Sequence, residues 1–335
     1  MVVGMDKSSK ETIPGKVSVI VVSYNSMEHI ETCLTSLTKQ TYPNYEVIFV
    51  DNNSSDGSIQ YAQSRFPNLK FVNNDANVGY AVGINSALPY CAGEFIAPLN
   101  IDKEVAQDWL ATMVEFLKVK PGVGAVTPKI LLFDDRKRIN TMGHNVHVTG
   151  LGFCRRLYEL DNNYLNPERV SGVSGCSYLI RRDMFERIGG APEDSFMSND
   201  DVIVSWLIHL LDFEIYCLPA SIVFHKYRLK MDPGKLFRLE KDRGKLVLSM
   251  LKPLTLVVMS PIFLVVELMI LAYCLVKGRA YTRAKLSSLA SLWRERHIIT
   301  ERRKQYKTLR KISDRHLLSR LRWGLEWGQL FGIMG

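Results

Sequence analysis

Short apolar runs alternate with amphipathic stretches through the first 120 residues of the chain. The β-branched run VSVIVVSYN, residues 17–25, ends in turn-forming residues and predicts a buried strand. Further apolar runs predict strands at residues 45–51, 69–72 and 95–99. Apolar residues at helical spacing predict helices at residues 29–39, 58–66, 80–90 and 105–119. Because strands that alternate with helices in this way form βαβ units, the pattern predicts an α/β fold with a mostly parallel, Rossmann-like sheet.

The pattern is less regular after residue 124. A Gly-rich segment, VSGVSGCS, precedes a predicted helix at residues 182–188, and an apolar helix follows Asp201. Residues 213–225 predict a closing strand. We therefore divide the chain into a polar lead (residues 1–16), an α/β domain (residues 17–228) and a basic helical region (residues 229–335).

A long apolar run at residues 254–276 is interrupted only by Ser260, Pro261 and Glu267. About 20 apolar residues suffice to cross a bilayer, so the run predicts a membrane-associated segment. Basic residues flank it on both sides, and the positive-inside rule disfavours export of either flank. We expect a re-entrant or interface-lying hairpin with both ends cytoplasmic, and a single span is the alternative.

Charge is unevenly distributed within the formal total of +9. Basic residues dominate after residue 225, whereas acidic residues exceed basic ones before it. A basic region beside an apolar segment favours an anionic lipid surface as its partner. No nucleic-acid-binding module accompanies the charge, so we expect no nucleic acid among the partners.

The six cysteines show no C-x-x-C spacing and lie mostly in apolar surroundings. This usage is typical of buried free thiols in a reducing compartment. The polar lead has no apolar run of the secretory type. We therefore expect the α/β domain to lie in the cytoplasm, at the inner face of the cell membrane.

Polar side chains follow two of the predicted strands. Asp51 opens the loop DNNSSDGS, where a strand-end carboxylate accepts hydrogen bonds from a nucleobase or a ribose; the alternative is a helix N-cap. Asn100 and Asp102 follow the fourth strand, and their hard oxygen atoms suit Mg²⁺ or Mn²⁺ bound to a diphosphate. A turn that leads into a helix explains the same two residues without any chemistry.

Two adjacent acids, Asp200 and Asp201, precede an apolar helix. One carboxylate of such a pair can act as a general base on a hydroxyl, with its pKa raised by its neighbour's charge. Acidic residues at a helix start are also favoured by the helix dipole alone, and on these residues alone that interpretation is the better one. His225 follows the closing strand, where a single histidine is more often structural than a ligand.

The order and spacing of these motifs resemble glycosyltransferase family 2, and most closely its rhamnosyltransferase-like branch. The resemblance extends from residue 17 to residue 322 and is carried by VSVIVVSYN, VDNNSSDGS, NVGYAVGIN, LNID, GGAPEDSFMSNDDV and VFH. It implies that residues 17–228 are a catalytic domain with the GT-A fold. It also implies an inverting, metal-assisted transfer of a sugar from a nucleoside diphosphate to a hydroxyl of a glycan, which we expect to be linked to a lipid carrier.

The resemblance assigns roles to individual residues. It implies that the nucleotide sugar is bound by Tyr24, Asn25, Asp51, Asn53, Asn77, Gly79, Asn100 and Arg243. It implies that Mg²⁺ or Mn²⁺ is bound by Asp102 and His225, and that Asp201 is the catalytic base beside Asp200. The chain departs from the family's usual pattern at Asn100, Asp200, Ile203 and Leu207.

Two other functions remain open at this point. A polyprenyl-phosphate glycosyltransferase has the lipid phosphate itself as acceptor, and a phosphate needs little deprotonation. A catalytically silent, membrane-bound nucleotide-sugar binder needs no base at all. The acids at positions 51, 102 and 201 argue against the silent binder.

Overall fold

The computed structural model describes residues 12–162, 164–196, 199–227 and 231–330. Its strands are β1 (Ile13–Ser23), β2 (Tyr45–Asp51), β3 (Lys70–Asn73), β4 (Gly93–Asn100), β5 (Lys103–Val105), β6 (Val123–Leu132), β7 (Ile139–Thr141), β8 (His144–Val146), β9 (Gly152–Cys154), β10 (Glu168–Arg169), β11 (Leu179–Arg181) and β12 (Glu214–His225). Its helices are α1 (Met27–Leu37), α2 (Ser58–Arg65), α3 (Tyr80–Ala87), α4 (Trp109–Val119), α5 (Arg182–Arg187), α6 (Asp200–Leu210), α7 (Pro233–Met250), α8 (Pro253–Lys277), α9 (Arg279–Arg294), α10 (Arg296–Leu309), α11 (Asp314–Ser319) and α12 (Trp327–Leu330).

A mixed sheet forms the centre of the α/β domain. Its strand order is β10-β12-β6-β11-β4-β1-β2-β3, with β5 added to β12 and β7 added to β6. Strands β1 to β4 form parallel ladders, and β6 is parallel to β12. Strand β11 is antiparallel to both β4 and β6, so it joins the two parallel halves. The longest ladders are parallel, and the α/β fold predicted from the sequence is confirmed.

The central strand β1 is buried on both faces, which explains its unbroken apolar run. Val19 and Val21 belong to one apolar layer, which also contains residues of α1 and α4. Ile20 and Val22 belong to the opposite layer, which contains residues of α3 and α6. Since successive side chains of a strand point to opposite faces, such a strand needs apolar residues at every position.

Strand β5 replaces the first turn of the helix that the sequence predicts at residues 105–119. The chain reverses after β4, and β5 pairs antiparallel with the end of β12. In this register Lys103 lies opposite His225. Because residues 103–105 are in the strand, the helix begins only after them, at Trp109. The pairing also brings Asp102 next to His225, two residues that are far apart in the sequence.

The apolar segment forms one continuous helix, α8, that is long and apolar enough to cross a membrane. It continues through Pro261, so the re-entrant turn expected within the run is not formed; the chain turns at Gly278. Met259, Val266 and other residues of one face are buried against the protein, whereas Leu264 (60% exposed) and Leu268 (56%) lie on an open face. The exposed apolar side chains of this open face are Leu254, Val257, Val258, Leu264, Val265, Leu268, Leu275 and Val276.

A buried ion-pair cluster holds the inner face of α8. Glu267 of α8 pairs with Arg243 of α7 and with Lys285 of α9, and the Lys285 Nζ lies 2.5 Å from Oε2 of Glu267. Both bases also pair with Glu240, whose carboxylate lies 2.7 Å from Arg243 Nη2. Burial by itself raises the pKa of Glu240, but Arg243 and Lys285 outweigh it and lower the pKa to about 2. The cluster therefore contains two acids and two bases, and it determines which face of α8 is exposed.

We expect Lys285→Met to destabilise the protein by about 3–5 kcal/mol, because it leaves two carboxylates in the cluster with a single base. Arg283→Met is the matched control: Arg283 lies on the same helix but is exposed, so its removal should change stability by less than about 0.5 kcal/mol. Urea denaturation of the two variants measures the difference. Equal unfolding midpoints would show that the cluster does not anchor α8.

Candidate active site

An open cleft of about 500 Å³ lies at the carboxyl ends of the parallel strands β1 and β4. This is the edge of a parallel sheet at which ligands bind. Seven of the residues predicted from the sequence line the cleft: Tyr24, Asn77, Gly79, Asn100, Asp102, Asp200 and Asp201. Asn52, Asn140, His144, Tyr227 and Lys235 line it too, and the sequence did not indicate them.

Asp102 lies on one wall of the cleft with a nitrogen partner at each carboxylate oxygen. One oxygen pairs with Lys103, whose side chain is completely buried, and Oδ2 lies 3.3 Å from Nε2 of His225. Burial raises the pKa of Asp102, but the Lys103 ammonium and the hydrogen bond with His225 outweigh it and hold the pKa well below its usual range. Asp102 is therefore ionised at physiological pH and is unsuited to accept a proton.

His225 lies behind Asp102 and is held by a second partner. Its Nδ1 lies 2.7 Å from Oδ1 of Asn140 in β7, and Cys176 Sγ lies 3.6 Å from the same nitrogen. An Nδ1–H that donates to Asn140 leaves Nε2 directed at the Asp102 carboxylate. This geometry orients the imidazole in the way that a carbonyl or carboxylate orients a metal-binding histidine.

The same wall has the chemistry to hold a divalent cation on a diphosphate. No group of three His, Cys, Asp or Glu side chains that could enclose a metal occurs among the described residues. A cation carried by a diphosphate needs few protein ligands, because the phosphates supply the others. Oδ1 of Asn100 is buried and has no hydrogen-bond partner within the described parts of the chain. This orphaned oxygen and the Asp102 carboxylate fit such an ion. His225 is not among the residues that line the cleft and its Nε2 is directed at Asp102, so its predicted place as a ligand remains a prediction.

Asp201 lines the same cleft from the first turn of α6, and its carboxylate is held in place. Its Oδ2 accepts a hydrogen bond from the Gly175 N–H at 2.8 Å and lies 3.2 Å from Nδ1 of His144. Its Oδ1 accepts from the Val202 N–H at 2.8 Å. A Cβ at position 175 would lie 2.9 Å from the carboxylate oxygen, so a larger residue there would push against the Asp201 side chain. The carboxylate therefore has one orientation in the cleft.

Asp200 is buried beside Asp201. Burial raises its pKa above the usual range of an aspartate, and the negative charge of Asp201 raises it further. The pair therefore retains a proton more readily than two isolated carboxyls do. The cleft thus carries acids with different protonation behaviour: Asp102 remains ionised, whereas the Asp200–Asp201 pair binds a proton more readily.

The loop after β2 presents Asn52, and not Asp51, to the cleft. The Asp51 carboxylate accepts hydrogen bonds from the N–H (2.9 Å) and the hydroxyl (2.6 Å) of Ser54. The hydroxyl oxygen of Ser54 in turn accepts from the Asn25 N–H at 2.9 Å. Asp51 therefore organises the loop, and neither Asn25 nor Asn53 is among the residues that line the cleft. Their predicted contacts with the nucleotide remain predictions.

The segment before α3 closes the cleft on the side of β1. The Asn77 side chain accepts a hydrogen bond from the Gly79 N–H at 3.2 Å, and Asn52 donates to the Gly79 carbonyl at 3.0 Å. Gly79 has a φ of +85°, and a Cβ there would lie 2.4 Å from the Phe196 carbonyl oxygen. Glycine is therefore required, because only glycine combines this backbone angle with such a close approach.

Comparison with known proteins shows the family. The sequence profile of glycosyl transferase family 2 matches residues 18–189, about half of the chain. The chain belongs to this family. The match confirms the resemblance of the motifs in that region, and it ends before Asp200 and Asp201, whose roles therefore depend on the geometry of the cleft.

Relatives in the family are moderately similar to the chain. Poly-beta-1,6-N-acetyl-D-glucosamine synthase from Staphylococcus epidermidis is 25% identical over 218 residues, which are 64% of this chain and 51% of that protein. N-acetylglucosaminyl-diphospho-decaprenol L-rhamnosyltransferase from Mycobacterium tuberculosis is 26% identical over 237 residues, 62% of this chain and 75% of the relative. The chain thus spans about half the length of the synthase.

Solved structures confirm the GT-A fold. Mannosyltransferase PcManGT from Pyrobaculum calidifontis, in complex with GDP-Man and Mn²⁺, has a TM-score of 0.53 at 20% identity and covers 95% of this chain and 88% of its own. GalNAc-T7 with UDP, GalNAc and Mn²⁺ has a TM-score of 0.59 at 17% identity, over 71% of this chain and 48% of its own. At these identities the likeness concerns the fold alone.

Arg243 of this family 2 protein does not line the cleft, although the resemblance implied a place near the diphosphate. Its guanidinium pairs with Glu240 and Glu267 in the ion-pair cluster of α7, α8 and α9. A buried guanidinium needs carboxylate partners, and these two lie on its own helix and on α8. The residue instead contributes to a second pocket beside the cleft.

We expect Asp200→Asn to stabilise the family 2 domain increasingly as the pH rises. The raised pKa means that the folded protein binds the Asp200 proton more tightly than the unfolded chain does. The free energy of unfolding of the wild type therefore decreases as the pH rises above about 3.9, the usual pKa of an aspartate. Asparagine removes that loss, and the melting temperature of the variant should exceed that of the wild type by a margin that grows from acidic to mildly basic buffer.

Asp212→Asn serves as the control, since Asp212 follows the other end of α6 and its side chain is half exposed. The difference in melting temperature between Asp212→Asn and the wild type should not grow with pH in this way. A margin for Asp200→Asn that stays constant across the pH range would mean that this carboxyl has an ordinary pKa.

Proposed function

We propose that the protein transfers a sugar from a nucleoside diphosphate to a hydroxyl of a glycan on a lipid carrier, with inversion at the anomeric carbon. The observation that carries this proposal is a single cleft lined by Asn100 and Asp102 and also by Asp200 and Asp201. The first two suit a diphosphate with its cation, and the acid pair suits a hydroxyl that must lose a proton. The family match supports the reaction class.

Asp201 is the base in this mechanism. It accepts the proton of the acceptor hydroxyl while that oxygen attacks the anomeric carbon from the face opposite the departing diphosphate. A single displacement of this kind inverts the configuration. Hydrogen bonds from the Gly175 and Val202 N–H groups hold the Asp201 carboxylate in position, so little reorganisation is needed when the proton moves.

The leaving group departs towards Asn100 and Asp102. A divalent cation, Mg²⁺ or Mn²⁺, would neutralise the negative charge that develops on the diphosphate. Asp102, with Asn100, would hold that ion, while Lys103 and His225 pair with Asp102 and keep it ionised. The presence of Mn²⁺ in the mannosyltransferase and GalNAc-T7 structures supports this assignment.

Tyr24, Asn77 and Gly79 lie where a nucleotide would enter the cleft, at the carboxyl end of β1. We assign the nucleotide sugar to this side, with Asn25, Asp51 and Asn53 shaping the loop that borders it. The mycobacterial relative is named for an acceptor on a diphospho-decaprenol carrier, which supports a lipid-linked acceptor here. If the lipid phosphate itself were the acceptor, the reaction would depend little on a base.

Helix α8 places this reaction at a membrane in our proposal. We assign its open apolar face to the lipid–water interface on the cytoplasmic side, with exposed Lys252 and Lys277 at its ends near anionic headgroups. A crossing helix would carry the ion-pair cluster around Glu267 into the bilayer core, where charges are costly. An interface-lying helix therefore fits the packing better than the single span.

The transferase proposal is tested with a screen of nucleotide sugars by thermal shift, with and without Mn²⁺ or Mg²⁺, followed by turnover of the stabilising donor. Asp201→Asn should lower transfer to a hydroxyl acceptor by a factor of about 10²–10⁴, the usual contribution of a general base, while the donor still raises the melting temperature. Asp212→Asn, outside the cleft, is the control and should retain full turnover.

Near-normal transfer by Asp201→Asn would exclude Asp201 as the base. Near-normal transfer by Asp201→Asn to a polyprenyl phosphate would favour a polyprenyl-phosphate glycosyltransferase. A protein that no nucleotide sugar stabilises would contradict the proposal as a whole.

Membrane binding is tested by flotation of the protein with vesicles that contain anionic lipid. The double variant Leu264→Lys, Leu268→Lys removes two leucines from the open face of α8 and should lower binding by at least about tenfold, because each buried leucine contributes about 1.5–3 kcal/mol. Thr300→Lys with Ser319→Lys adds the same charge at exposed sites elsewhere and should leave binding intact. Resistance of the wild type to extraction at high pH would instead favour a membrane-spanning helix.

A further inference from the structure

A second pocket, of about 340 Å³, opens from the catalytic cleft. His144, Gly152, Tyr227, Lys235 and Leu239 line both cavities, so the two are continuous. The cleft is lined by the acids described above, whereas the second pocket extends away from these acids between α7 and α8. A ligand with two chemically different parts could therefore occupy both at once.

The walls of the second pocket are mainly apolar. Leu236 and Leu239 come from α7, Met269 and Ile270 from the inner face of α8, and Phe153 from β9. The charged groups at its end, Glu240 and Arg243, neutralise each other in the ion-pair cluster. An apolar pocket of this size suits a hydrocarbon chain, and it offers little to a nucleobase or a sugar.

Lys235 lies at the junction of the two cavities, in the first turn of α7. Within residues 12–162, 164–196, 199–227 and 231–330, no carboxylate lies within ion-pair distance of its ammonium group. Asp232 caps the start of α7 by accepting a hydrogen bond from the Lys235 N–H, so the helix N-terminus is already occupied, and the Lys235 ammonium is the group at the junction that favours a phosphate. The junction therefore suits a phosphate whose apolar substituent enters the second pocket.

Helix α8 places the pocket next to the open apolar face, because one side of the helix lines the pocket and the other side is exposed. Met269 lines the pocket, whereas the next residue along the chain, Leu268, lies on the open apolar face. One helix thus separates the pocket from the surface that we assign to the membrane. A chain that leaves the pocket at the edge of α8 would enter lipid directly.

We propose that this pocket binds the first isoprene units of a polyprenyl diphosphate, the carrier of the acceptor glycan. Its phosphates lie at Lys235, and the glycan extends into the cleft towards Asp201. The inference rests on the proposed transferase function and adds the chemical class of the acceptor's carrier. The pocket also explains how a protein that does not span the membrane can reach a glycan anchored in it.

A farnesyl diphosphate analogue with a diazirine on its terminal isoprene tests the proposal with the full-length protein in detergent micelles. Photolysis followed by peptide mapping should place the label in α7 around Leu236 and in α8 around Met269. Met269→Trp fills the pocket and should reduce this labelling at least tenfold. Leu268→Trp, a tryptophan on the open side of the same helix, is the matched control and should leave labelling unchanged.

Lys235→Gln provides an independent variant in case the tryptophan at position 269 impairs folding, which melting temperatures will show. It should weaken labelling by the diphosphate analogue at least fivefold and leave labelling by the corresponding uncharged farnesol analogue unchanged. Equal loss with both analogues would overturn the assignment of the phosphates to Lys235.

The outcomes separate this inference from the transferase proposal. Label confined to the open face of α8, or lost equally from both tryptophan variants, would overturn the pocket assignment even if donor turnover is normal. Label in the pocket of a protein that turns over no nucleotide sugar would support the lipid site and contradict the transferase function. Efficient transfer to a carrier-free glycan, with no label in the pocket, would likewise overturn the inference and leave the transferase intact.

Discussion

The acids that line the cleft differ in charge state according to the groups that they meet, and the candidate site depends on that constraint. Asp102 meets Lys103 and His225, so it remains ionised although it is partly buried. Asp200 is buried beside a second carboxylate, so its pKa rises. One cleft thereby acquires two kinds of chemistry from the same residue type, one suited to a cation and a diphosphate, the other to a proton.

The same constraint operates away from the cleft. Glu267 is the one acidic residue in the apolar sequence of α8, and its pairing with Arg243 and Lys285 turns one face of the helix inward. Apolar residues on the other face are left open. The inner face of α8 also forms a wall of the apolar pocket that joins the catalytic cleft. Electrostatic pairing thus links the surface assigned to the membrane with the site assigned to the acceptor.

Local pattern determined much of the architecture. Unbroken apolar runs predicted β1, β2 and β4, because strands buried on both faces need apolar residues at every position. Helical periodicity predicted α1 and α4, since one stripe of each helix faces the core. Motif order also identified the family, and the acids at positions 102, 200 and 201 do line one cleft.

Tertiary structure alone decided which groups these residues meet. Asn140 reaches His225 across 85 residues, and His144 and Gly175 reach Asp201, through strand pairings and loop contacts that no local period encodes. Arg243 illustrates the limit most clearly. The motif around it favoured a diphosphate contact, but burial between α7 and α8 directs its charge to the nearest carboxylates. Hydropathy likewise identified α8 as apolar. Only packing showed that one of its faces covers the protein and that the other is exposed. The reason is that burial depends on neighbours that are distant in sequence.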